Sequence, residues 1–172
     1  MKHRNPMNPI VLVTYATRAG STMEIAQAIA QEFEKRRFAV DFCPIKRVTD
    51  SHDYSHVVIG RAIRMSAPLP EVTQLVEDHH EAFRVIPLPF FAVHLANHGD
   101  GETSRAARHA YLDPVRRLLC IQHEAFFTDV FNPAKVSLAD GLMGRMTQSP
   151  VGDLRDWESI ARWGQSIFTD EN

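Results

Sequence analysis

The fold class this sequence predicts is α/β: an open parallel sheet with helices on both faces, making three layers. Three observations carry it: short apolar runs rich in β-branched residues, stretches of helical period between them, and regular alternation of the two along 172 residues. A strand covered on both faces needs no polar side, so it reads as a continuous apolar run. A helix lying over it needs only one apolar stripe.

Residues 10–15 (IVLVTY) read as the first strand, and a central one. The helix that follows has Ile25, Ala28, Ile29 and Phe33 at helical spacing. Glu24 in its first turn and Lys35, Arg36 and Arg37 in its last suit the two ends of the helix dipole, and Ser21 or Thr22 is expected as its cap. Residues 39–43 and 56–60 (HVVIG) read as the second and third strands, with a polar loop over 46–54. A helix is expected over 70–83, burying Val72, Leu75, Val76 and Phe83. The fourth strand spans 88–95, with Pro89 held to its very start because proline donates nothing to a ladder. Residues 103–119 are helical in period through Ala107, Ala110, Tyr111, Val115 and Leu118 or Leu119, and Pro114 predicts a kink or break. A fifth strand is expected over 124–131 and a last helix over 153–168, through Leu154, Trp157, Ile160, Ala161, Gly164 and Ile167. The stretch 132–152, with two prolines and two internal glycines around Leu138, Leu142, Met143 and Met146, is expected to be a short helix over the sheet edge or a loop. One domain over 10–170 follows, after a tail over 1–9.

A content of 44% hydrophobic and 23% charged residues supports a core without disulfides or metals as staples. A net charge of -2 sets up no field that would draw the chain onto nucleic acid or anionic lipid, so nucleic acid is not an expected partner. Cys43 and Cys120 stand in neither a CxxC nor a metal spacing and are expected as buried thiols. No apolar segment separate from the first strand follows Lys2 and Arg4, and no run approaches a membrane span. The expectation is a soluble, cytoplasmic protein with no integral membrane segment.

Open α/β sheets bind ligands outside the carboxyl ends of their strands. The loop after the first strand, Thr14-Tyr15-Ala16-Thr17-Arg18-Ala19-Gly20-Ser21-Thr22, gathers hydroxyls around a helix start. Unpaired amides, the positive end of a helix dipole and neutral hydroxyl donors together suit a phosphate, and Gly20 lets the backbone turn close to it. The loop is not a Walker A loop, since no Gly-Lys-Ser/Thr follows, nor GxGxxG, since Gly20 stands alone. Plain capping by Ser21 or Thr22 is the alternative, but capping has no need of Thr14 and Thr17.

This loop resembles the FMN phosphate loop of the flavodoxin family, Thr/Ser-x-Thr-x-x-Gly-x-Thr: Thr17, Gly20 and Thr22 match, and Tyr15 stands at the first position. Ala16, Thr17, Arg18, Gly20, Thr22, Glu24, Ile25 and Ala26 bring it closer to the menaquinone-dependent protoporphyrinogen oxidase branch. Val58-Ile59-Gly60 followed by Ile63-Arg64, and Asp156-Trp157-Glu158, resemble that branch too. The resemblance implies a flavodoxin-like three-layer sandwich with a five-stranded parallel sheet in strand order 2-1-3-4-5; flavodoxin itself is a standing example of the carboxyl-end rule. It implies noncovalent FMN, with Thr14, Thr17, Arg18, Ala19, Gly20, Ser21 and Thr22 around the phosphate. A loop over 62–67, with Ala62, Ile63, Arg64 and Met65, and one over 95–101, with Leu95, Asn97, His98 and Gly99, would flank the isoalloxazine. Flavodoxins usually stack aromatic rings on the flavin, whereas these two loops offer no Tyr or Trp. The Met65 sulfur is expected on the ring instead, with Asn97 and His98 at its polar edge.

On this reading the flavin performs the redox chemistry and no side chain acts as a catalytic base. The closer likeness implies an oxidoreductase of the protoporphyrinogen oxidase type, working with a quinone, a porphyrinogen or another small-molecule or redox partner. The weak acidity agrees, because carrier flavodoxins dock through a strongly acidic face. The alternatives are a non-enzymatic electron carrier and a flavodoxin-like binding module that retains no flavin; a homodimer is left open. A metal site is not expected: His94 and His98, four apart on a strand, lie roughly 13 Å from each other. His79 and His80 are expected in solvent on a helix surface. Gly60 and Thr14-Tyr15 stand where a phosphoacceptor domain needs acids, no GxSxG elbow occurs, and neither cysteine sits at a strand-to-helix turn, so nucleophilic catalysis is not expected.

Overall fold

The computed structural model describes residues 9–64, 67–97, 99–131 and 152–169. In chain order the elements are β1 (Ile10–Ala16), α1 (Ser21–Lys35), β2 (Ala39–Pro44), β3 (His56–Arg64), β4 (Ala67–Pro68), α2 (Pro70–Asp78), α3 (His80–Phe83) and β5 (Phe90–His94), then α4 (Glu102–Ala110), α5 (Asp113–Arg116), β6 (Glu124–Thr128), β7 (Val130–Phe131), β8 (Gly152–Asp153) and α6 (Trp157–Ser166). The five long strands pair in parallel in the order β2-β1-β3-β5-β6, which is the expected 2-1-3-4-5.

Register and alternation sort the side chains into two cores. Val11, Val13 and Tyr15 of β1, Val58 of β3 and Phe91 and Val93 of β5 point to one face and pack on Ile25, Ile29 and Phe33 of α1 and Ile160 of α6. Leu12, Ala16, Val57, Ile59, Phe90 and Ala92 point to the other, against Val72 and Val76 of α2 and Val115 of α5. Gly60 is required where it stands: a Cβ there would lie 2.2 Å from Cζ of Phe91, whose ring is packed between Phe127 and Trp163 at 5.9 Å from each.

Several boundaries differ from the sequence reading. The helix expected over 70–83 breaks at His79, whose Nδ1 lies 3.0 Å from the hydroxyl of buried Ser51 while its ring tilts against Phe83. His80 Nε2 bonds the Leu118 carbonyl at 3.1 Å, so neither histidine is simply solvated. The expected break near Pro114 is present, falling between α4 and α5. The strand expected over 124–131 is interrupted at Asp129, whose Oδ1 accepts the Val130 N–H at 2.6 Å, and β7 pairs antiparallel with β8 instead. The last helix starts later than expected because Asp156 caps it, its carboxylate accepting the Ser159 N–H at 3.0 Å. Cys120 is exposed and Cys43 half-buried, against the expectation of buried thiols. The reading of 132–152 falls almost wholly outside the described residues.

Candidate functional site

The turn from β1 into α1 is open on its amide side. Gly20 occupies the cap position of α1 in the left-handed region, at φ 98°, and no side chain caps the helix. The expected cap by Ser21 or Thr22 is therefore not formed, since both lie inside the first turn. Thr17 Oγ1 accepts the Gly20 N–H at 3.0 Å and so folds the loop back toward the helix start. Thr22 Oγ1 is buried with no partner among the described residues. Ser21 donates to the carboxylate of Asp129, just beyond β6, and that bond opposes the burial that pushes the Asp129 pKa up. Uncapped helix-start amides, a dipole end and one unspent hydroxyl thus belong to one turn, a donor set of the kind that suits a phosphate.

The other residues of this loop divide. Arg18 and Ala19 are exposed, and Arg18 forms an ion pair with Glu71 in the first turn of α2, strapping the loop to the opposite layer. Thr14 lies within β1, fully buried and on the sheet face opposite α1, with its hydroxyl unpartnered among the described residues. The segment after β3, expected as a loop from Ala62, begins as strand: Ala62, Ile63 and Arg64 belong to β3, and Ile63 and Arg64 pair antiparallel with Pro68 and Ala67. Met65 lies outside the described residues.

The segment after β5 is held from α4 and from Tyr111 just beyond it. His94 Nδ1 stands 2.8 Å from the Ala96 carbonyl, which can only accept, so that nitrogen carries the proton. Asn97 adopts a left-handed backbone at φ 61° and donates its side-chain amide to the Tyr111 hydroxyl at 2.8 Å. Arg108 donates to the carbonyls of Asn97 and Gly99, the latter at 2.7 Å. The Asn97 amide, expected at the flavin edge, is thereby engaged with Tyr111, while Leu95 and Gly99 sit in the same clamped segment. His98 lies outside the described residues.

Sequence reasoning missed Arg61, which is fully buried in β3 with Nε, Nη1 and Nη2 all lacking partners among the described residues; burial lowers its pKa to about 10. The signal was present in VVIGRAIR, where apolar residues resume beyond the arginine, as they do when a strand continues through it. It also missed Glu71, Arg108 and Asp129, whose partners are remote in sequence. Among the described residues no group of His, Cys, Asp and Glu is placed to hold a metal ion, and no helix is long and apolar enough to cross a membrane.

A 2-1-3-4-5 parallel sheet with an uncapped helix start after its first strand defines a flavodoxin-like α/β domain. The profile of the flavodoxin domain family matches residues 12–134; the chain belongs to that family, and FMN is its cofactor. Among curated relatives, protoporphyrinogen IX dehydrogenase (quinone) of Escherichia coli strain K12 is 29% identical over 86 residues, 49% of this chain and 48% of that protein. The matched part thus spans about half the length of that relative. Among solved structures, a flavodoxin from the domain Archaea superposes with a TM-score of 0.58 at 13% identity, over 92% of this chain and 95% of that one. A flavo di-iron protein of Thermotoga maritima gives 0.56 at 10% identity, over 91% of this chain and 35% of that one. Both likenesses are of fold.

Proposed function

We propose that this chain is an FMN-dependent oxidoreductase of the protoporphyrinogen oxidase type, a single cytoplasmic domain over 10–170 that works with a quinone or another small-molecule acceptor. The observation that carries the reading is the β1–α1 turn: among the described residues no side chain caps its helix-start amides, and the buried Thr22 hydroxyl has no partner. Amides of the 18–22 turn with the hydroxyls of Thr17 and Thr22 would hold the phosphate, and the 62–64 and 95–99 segments would flank the ring. FMN supplies the electron transfer; the protein positions it and sets its electrostatics. The likeness to the Escherichia coli enzyme supports the reaction class.

Purified protein should be yellow and release FMN on denaturation. With the flavin reduced anaerobically, a menaquinone analogue should reoxidise it faster than an electron-accepting protein does. Faster transfer to the protein would make the chain a carrier, and colourless protein that takes up no added FMN would leave only a binding module.

A further inference from the structure

Arg61 is unlike the other charged side chains of this fold. Arg18, Arg116, Arg155 and Arg162 each meet a carboxylate, and Arg36 bonds the carbonyls of Ile167 and Phe168. Arg61 has none of these: all three of its nitrogens are buried and unpartnered among the described residues. Its neighbours across the sheet, Ala16 on β1 and Ala92 on β5, present only methyl groups. The unpartnered Glu71 Oε2 is not within hydrogen-bond reach of it, and Glu71 Oε1 is taken by Arg18. A guanidinium stays protonated at neutral pH even when burial lowers its pKa, so the fold keeps a lone positive charge in a low-dielectric setting. Such a charge is costly unless an anion offsets it. Its place is the carboxyl half of the central strand, immediately before Ala62, where the segment proposed to flank the ring begins.

We propose that Arg61 tunes the flavin electrostatically: its buried, uncompensated guanidinium favours the anionic reduced ring over the neutral oxidised one and so raises the reduction potential of bound FMN. The inference rests on the FMN reading above. Two electrons and one proton added to the oxidised ring leave it with one negative charge; the electrons come from the reduced substrate in turnover and from dithionite in the test. The phosphate carries the same charge in both redox states, so its attraction to Arg61 cancels from the difference and only the ring charge counts.

The test compares wild type with R61M, R61Q and R61K, each loaded with FMN. Fluorescence quenching gives the Kd for oxidised FMN, and dithionite titration against a reference dye gives the midpoint potential. In R61M and R61Q the affinity for reduced FMN should fall at least tenfold more than that for oxidised FMN, which lowers the two-electron midpoint by about 30 mV or more. R61K keeps the charge and should stay closer to wild type than either, a pattern that a merely structural role would not produce. R61M is expected to fold, since an apolar side chain of similar length replaces an unpaired buried ion; R61Q gives the same readout independently. FMN bound to R61M or R61Q at an unchanged potential overturns this proposal alone. Wild type that takes up no FMN overturns the cofactor reading, and this proposal with it.

Discussion

Thr17 and Thr22 sit in one turn, yet their hydroxyls stand in different states, and the difference separates loop architecture from ligand binding. Thr17 accepts the Gly20 N–H, whereas the Thr22 hydroxyl is buried with no partner among the described residues. T22V should leave the melting temperature unchanged or raise it, while FMN affinity falls about tenfold or more, the worth of one hydrogen bond to a charged group. T17A should lower both, because the loop loses its internal bond. Thermal melts of the apoprotein and FMN titration check the pair. Asp129 makes a second prediction at this scale. Burial raises its folded pKa above the ordinary value of 3.8. The native state therefore holds its proton where the unfolded chain has released it. The stability this contributes is full below 3.8 and is lost as pH rises through the folded value. D129N, which can still accept the Val130 N–H, should be more stable than wild type at pH 7, and urea midpoints should show the gap closing toward pH 4.

Helix α6 packs on α1 closely enough that a Cβ at Gly164 would lie 3.4 Å from Cβ of Glu32. Glu32 is buried at that contact, accepting from Lys35 at 2.5 Å and from Gln165 of α6 at 2.8 Å. The bond from Lys35 first, and that from Gln165 second, lower its pKa below the ordinary 4.5. The resulting stability is present above 4.5 and lost as pH falls through the lower folded value. E32Q should cost about 1 kcal/mol at pH 7 and progressively less below pH 4.5, read from urea unfolding. Element boundaries show how far local sequence reaches. Pro114 announced its own break, since a missing amide hydrogen is a local property. The break at His79 and the end of β6 at Asp129 were not legible, because Ser51 and Ser21, which those residues engage, lie 28 and 108 positions away in the chain.

Across the whole molecule the sheet is pinned where Phe91 of β5 covers Gly60 of β3. G60A should destabilise the fold by about 1–3 kcal/mol through overpacking. F91L should relieve part of that cost, so the double variant should be less damaged than the two single costs added together, as denaturant midpoints would show. The alternation of strands and helices and the two-faced core were readable in advance, because period-2 and period-3.6 patterns depend on neighbours in sequence, whereas the strand order came from the family resemblance. The ion pair of Arg18 with Glu71, the hold of Asp129 on Ser21, the diversion of the Asn97 amide to Tyr111 and the solitary burial of Arg61 were decided only by the folded chain. Each depends on which residue the topology brings alongside and on how much water is excluded there. Sequence by itself determined the architecture and singled out the turn we propose for the cofactor; tertiary structure decided which polar groups of that turn are spent and which remain to act.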